Sequence, residues 1–167
     1  MEFQVPSLNL LLIAPVIIVF AAAMLLMLVE LFLSDEQTKQ WLEWVPWLTL
    51  AGLVAALVQA VGMWGFNGGT FTPVGSEPMI VVDNFATFLN ITFLLTGILA
   101  VLVSVNYLRR TELERSEFYM LMLFSIGGMM LMGMANDLIL IFLALEVLSI
   151  PLYIMSGLAW PRNDSEE

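Results

Sequence analysis

The sequence predicts an all-α integral membrane protein of five transmembrane helices, and three observations carry that reading. The composition is 60% hydrophobic and only 12% charged, with a mean hydropathy of +0.94, against roughly 45–50% apolar and about 25% charged in soluble domains. Five separate apolar runs are each long enough to cross a hydrocarbon core of about 30 Å, which takes about 20 helical residues. All five Lys and Arg residues fall on one side of the membrane if the five spans alternate in direction.

The first span covers residues 8–33 and is almost unbroken. The residues before it contain no Lys or Arg, and the apolar run outlasts a signal-peptide core, so it reads as a span that stays in the membrane. The second span covers residues 44–66, with Pro46 expected in its first turn, where a missing N–H is harmless. The third covers residues 83–108, the fourth 117–135 and the fifth 137–158. Strands are excluded as spans, because lipid cannot satisfy an open sheet edge and the runs lack the alternation of a barrel. Residues 1–167 therefore read as a single membrane domain.

The connections are polar: SDEQTKQ, FNGGTFTPVGSEP, RRTELERS and the Asn136–Asp137 turn. The second is the longest and is rich in Gly and Pro, as befits an external loop. Asp83, Asn84, Ser116, Asn136 and Asp137 stand where helices begin, and their side chains are expected to cap orphan N–H groups. Lys39 follows the first span, Arg109, Arg110 and Arg115 the third, and Arg162 the fifth. Basic residues mark the cytoplasmic side, so the N-terminus is expected outside and the C-terminus in the cytoplasm. Trp41, Trp44, Trp47 and Trp160 then lie near the inner interface and Trp64 near the outer one, as an aromatic belt.

Composition also excludes chemistries. With no Cys and no His, the chain offers no disulfide, no haem or iron–sulfur ligation and no His- or Cys-bound zinc, and no cofactor is expected in it. A net charge of −10 argues against nucleic acid as a partner, since nothing neutralises phosphates. Phosphate-loop, dinucleotide and hydrolase motifs are missing from the sequence. The lipid bilayer is the partner that composition does demand.

Glu146 is the residue that needs a reason. It falls in the middle of the fifth span, about 15 Å from either surface at about 1.5 Å per residue. An ionisable group at that depth costs a few kcal/mol by insertion scales, so it should face protein or water rather than lipid. A carboxyl group sheltered there is suited to holding and passing a proton. Ser149 and Tyr153 follow at i+3 and i+7 on the same helical face. Pro151 cannot donate to the carbonyl of Val147, which frees an acceptor next to the glutamate. Glu146 is thus the candidate proton-translocating residue, with Ser149, Pro151 and Tyr153 as supporting polar or helix-breaking positions. A static pairing that only fixes helix packing is the plainer reading. Glu30 is expected to reach the headgroups, and Glu117 and Asp137 stand at helix starts.

In the fourth span Ser125, Gly127, Gly128 and Gly133 lie among six methionines. Small residues let helices approach closely in lipid and Met fills irregular gaps, so this run should pack against the fifth helix or a partner. Asn90, Thr92, Thr96 and Ser104 of the third span are expected to hydrogen-bond across helices.

The run SEFYMLMLFSIGGMMLMGMANDLILIFLALEVLSIPLYIMSGL resembles the fourth and fifth helices of the antiporter-like subunits of proton-pumping NADH:quinone oxidoreductase, respiratory complex I. It is most like the subunit N type, through E-F-Y, A-N-D-L and L-E-x-x-S-I-P-L-Y in combination, and DNFATFLNITFLL is similar to that type's third helix. The resemblance implies the start of an antiporter-like fold of two inverted repeats, to which this chain contributes an N-terminal portion. It implies that Glu146 matches the glutamate that pairs with a lysine further along the chain in the proton pathway. No Lys or Arg lies within the five spans, so that partner is missing from this sequence, and the chain is incomplete relative to the family. Flavin, Fe–S clusters and quinone are implied for partner subunits, along with other membrane subunits and the remainder of the same subunit. The implied location is the cell's inner (plasma) membrane, ahead of an organellar or thylakoid-type membrane. A subunit of a multi-subunit cation/proton antiporter, a membrane-bound hydrogenase or a non-conducting scaffold fragment are the alternatives.

Overall fold

The structure, a computed structural model, describes residues 8–33, 35–73, 76–111 and 115–158, apart from the side chains at 35, 36, 39, 109 and 111. The side chains of Lys39 and Arg109, and all of Trp160 and Arg162, lie outside the described residues. Five helices are long and apolar enough to cross a membrane. They are α1 (Ala14–Leu31), α2 (Asp35–Gly62), α3 (Asn84–Thr111), α4 (Ser116–Met134) and α5 (Leu138–Gly157), and a two-stranded hairpin, β1 (Gly68–Thr70) and β2 (Ile80–Val82), joins α2 to α3.

Two spans differ from their expected bounds for backbone reasons. The first opens as a 3-10 turn, Leu10–Ile13. Pro15 stands at the start of α1 and cannot donate to the carbonyl of Leu11, which instead accepts from the N–H of Ala14. The second helix begins well before its apolar stretch, which runs Gln40–Gly62. Pro46 is therefore inside the helix, not in its first turn. Residues 35–43 hold no Gly or Pro to stop the helix, and polar side chains at an interface leave its backbone ladder intact.

The loop expected between the second and third spans contains this hairpin. Its strands pair antiparallel, Gly68 with Val82 and Thr70 with Ile80. Several bonds tie it to residues at the neighbouring helix ends. The Asn9 N–H donates to Thr70 Oγ1 (2.8 Å), Asn136 donates from its backbone to Met79 O (2.8 Å) and from its side chain to Pro78 O (3.0 Å), and Ile80 bridges Ala135.

Capping follows expectation at two helices and departs from it at a third. Asp83 accepts from the N–H of Ala86 (2.7 Å) at the start of α3. Asp137 accepts from the N–H groups of Ile139 (2.8 Å) and Leu140 (3.4 Å) at the start of α5. Ser116 is not a cap: Arg115 is the residue before α4, and the Ser116 hydroxyl donates to Glu30 Oε1 on α1. Asn84 accepts from the Gly65 N–H (2.9 Å), joining the end of α2 to the start of α3.

The fourth helix is the axis of the bundle, more buried than the other four. A Cβ on Gly127 would lie 2.7 Å from the ring of Phe20 on α1, and one on Gly128 2.6 Å from the backbone nitrogen of Leu148 on α5. A Cβ on Gly133 would lie 3.3 Å from Leu89 on α3. The glycines thus serve three neighbours rather than one, each through van der Waals approach where lipid supplies no hydrophobic drive. Phe20 and Phe124 pack with ring centroids 6.0 Å apart. Leu94, Leu123 and Met130 are fully buried in the same core. Thr92, Thr96 and Ser104 do not reach across helices. Their hydroxyls donate to the carbonyls of Phe88, Thr92 and Ala100 within α3, because the carbonyl four residues back is always within reach of a helical Ser or Thr.

The Gly128 contact is with backbone, which cannot swing aside as a side chain can. Gly128→Ala should push α4 and α5 apart and destabilise the chain by about 1–3 kcal/mol. Gly62→Ala, where an added Cβ meets nothing within 4 Å, should leave stability unchanged or slightly raised. Thermal midpoints of the two variants in the assembled membrane protein check the contrast.

Candidate functional site

The site is built on α5, where Glu146 lies about 12 Å from Leu138 and about 16 Å from Gly157 along the axis at about 1.5 Å per residue. It is half-buried, and among the described residues none donates a hydrogen bond to its carboxylate. Of the 18-residue apolar window of α5 only 11% is buried. Phe142, Leu145, Ile150, Leu152 and Ile154 are exposed, so α5 is the outermost of the described helices and presents a broad apolar face.

The backbone next to Glu146 is unusual over four residues. The Ser149 hydroxyl donates to the carbonyl of Leu145. Pro151, buried inside α5, has no N–H for the carbonyl of Val147. The carbonyl of Leu148 accepts from the buried Ser125 hydroxyl of α4 (3.3 Å). Gly128 packs here too, since a Cβ on it would lie 3.0 Å from the carbonyl carbon of Val147. A helix that has lost one rung is therefore held from the side by a hydroxyl and a bare glycine backbone. Sequence reading singled out Ser125 and Gly128 for packing without linking them to this turn. The signal was their position on α4, which only a known α4–α5 register could have matched to Pro151.

The expected site residues come together in part. Glu146, Ser149 and Pro151 share the weakened turn, but the Ser149 hydroxyl is turned to its own helix rather than to the glutamate. Tyr153 is 73% exposed and stands away from the described bundle. Asn90 of α3 does bond across helices, its amide donating to Met134 Sδ on α4 (3.2 Å). Glu30, expected among headgroups, is half-buried and accepts from Ser116, which is itself buried. A carboxylate beside the first turn of α4 also faces the positive end of that helix. Glu117, in that turn, is exposed.

No family model matches the chain. Curated relatives do. NADH-quinone oxidoreductase subunit N 2 of Roseiflexus castenholzii is 39% identical over 150 residues, which is 90% of this chain and 28% of the relative. Subunit N of Chloroflexus aggregans is 39% identical over 166 residues, 99% of this chain and 32% of the relative. The chloroplastic NAD(P)H-quinone oxidoreductase subunit 2 of Chlorokybus atmophyticus is 33% identical over 94% of this chain and 30% of the relative. Among solved structures, a chain of respiratory complex I from Thermus thermophilus with bound aureothin matches with a TM-score of 0.67 and 26% identity, over 90% of this chain and 30% of that one. The chain spans about 30% of the length of these relatives.

The Glu30–Ser116 contact joins two helices where they leave the apolar core. Hydrogen bonds to charged groups contribute about 1.5–3 kcal/mol. Ser116→Ala and Glu30→Ala should each loosen that junction, and the double variant should lose less than the sum of the two, with Glu30→Gln the mildest. Unfolding midpoints across this cycle measure the coupling.

Proposed function

The chain is a partial-length homologue of NADH-quinone oxidoreductase subunit N, and from that premise we propose that it forms part of a proton-translocating membrane subunit of an NADH:quinone oxidoreductase. In this reading electron transfer from NADH to quinone takes place in partner subunits that hold flavin, Fe–S clusters and quinone. The chain itself contributes no redox or covalent chemistry. Its part is Glu146, whose carboxyl accepts and releases a proton near the middle of the bilayer as one station of a pathway.

One observation supports this most: a half-buried carboxylate at mid-membrane depth, without a hydrogen-bond donor among the described residues, on the helix least covered by its neighbours. Hydrocarbon does not tolerate that arrangement, so the exposed face of α5 is completed by protein. Further helices of the same subunit or of its neighbours would supply the cover, as the second half of an inverted repeat does in transporters of this design. The opened backbone at Val147 and Pro151 adds an acceptor that water can use beside the carboxyl.

The orientation we assign has the N-terminus outside and the C-terminus in the cytoplasm, within the cell's inner (plasma) membrane. Arg110 and Arg115 at the α3–α4 junction are exposed, while the opposite end carries the hairpin and no basic residue. Because the chain has no cysteine, an introduced cysteine is the single thiol in it. Glu77→Cys beside the hairpin should react with a membrane-impermeant maleimide in intact cells, and Arg110→Cys only after permeabilisation. The reverse pattern rejects the orientation.

The functional test is substitution of Glu146 in the full complex. Glu146→Gln should leave assembly and NADH oxidation by the peripheral subunits in place, and should lower proton translocation coupled to quinone reduction by tenfold or more, as loss of an acid–base group typically does by about 10²–10⁴. Glu146→Asp should retain part of it. Full pumping in the Gln variant would leave Glu146 with a packing role only.

A further inference from the structure

A second polar position, inside the bundle, is unconnected to Glu146. Asn90 of α3 is 4% exposed. Its amide nitrogen donates to Met134 Sδ, while its Oδ1 is buried without a partner. Rotating the amide does not relieve this. A thioether sulfur accepts but cannot donate, so the nitrogen belongs on the sulfur and the oxygen must look elsewhere for a donor. Leaving such an acceptor bare costs about 1–3 kcal/mol.

The oxygen's side chain lines a small cavity of about 10 Å³. Pro15 of α1, Ala60 of α2 and Val82 of β2 wall it, and Thr87, one turn before Asn90 on α3, is the other polar residue that lines it. Thr87 is 2% exposed, and its hydroxyl can both donate to and accept from a water. A water needs roughly 10–15 Å³ of such space and two to four polar partners. The cavity offers that volume once over and two partners on one helical face.

We infer that this cavity is a binding site for one ordered water, which donates to Asn90 Oδ1 and exchanges a second hydrogen bond with Thr87 Oγ1. The occupant is neutral water rather than a cation, because no carboxylate lines the cavity and two neutral oxygens do not replace the hydration shell of an ion. The water completes the polar accounting where α1, α2, α3 and the hairpin meet.

The experiment is a two-by-two cycle of Thr87→Val and Asn90→Leu, read as the thermal midpoint of the chain in its assembled complex. With a shared water, Thr87→Val lowers the midpoint in the native background and leaves it unchanged or raises it in the Asn90→Leu background. The same downward shift in both backgrounds overturns the site. A map of the native complex that resolves ordered waters gives an independent reading. Density within about 2.6–3.2 Å of both oxygens is expected, and an empty cavity, or a protein N–H donating to Asn90 Oδ1, overturns it.

Discussion

Hydrocarbon offers no hydrogen bonds, and most of the polar detail in this chain answers to that constraint. Each unsatisfied group in lipid costs several kcal/mol, so polar atoms find partners within the bundle or lie at its ends. Asp83 and Asp137 hold the exposed N–H groups of two helix starts. The hydroxyls of Thr92, Thr96 and Ser104 fold back onto their own helix. Even Glu30, at the end of α1, takes the hydroxyl of Ser116. Glu146 is the carboxylate that departs from this rule at mid-membrane depth, and its departure directs attention to what covers α5.

The packing explains how α5 tolerates a weakened turn beside that carboxylate. With Pro151 in the helix, the rung to Val147 is missing, and a free helix would bend or take up water there. Instead α4 lies against it at backbone distance, because Gly128 has no side chain to hold it off, and Ser125 donates to the next carbonyl. The inner side of the turn is therefore braced by α4 while its outer side, with Tyr153, stays open. The proton-carrying role proposed for Glu146 fits such an arrangement, since the helix is fixed in place while one face remains free for partners or water.

How much of this was legible in the sequence depended on which physical rule applied. The five spans were legible because a bilayer demands apolar length, and the positions of Asp83 and Asp137 named two caps. The polar start of α2 was not, since hydropathy ends near Gln40 while the backbone ladder begins at Asp35. The hairpin was hidden because its strands are three residues each and are anchored by contacts with Asn9, Asn136 and Ala135, distant in sequence. The partner of Ser116 was hidden for the same reason, lying on α1. For the candidate site, Glu146 and Pro151 were visible from type and depth alone, whereas the roles of Gly128 and Ser125 depend on a helix register that no local pattern encodes.

The function proposed for Glu146 requires that the face of α5 bearing it be enclosed by protein and reached by water. A map of the assembled membrane complex around that carboxyl tests it directly. The expected result is a neighbouring helix over α5, with a basic side chain or ordered water within reach of the carboxylate. A carboxyl group lying against lipid chains, open to bulk solvent, or closed into a dry contact with no route for a proton would contradict it.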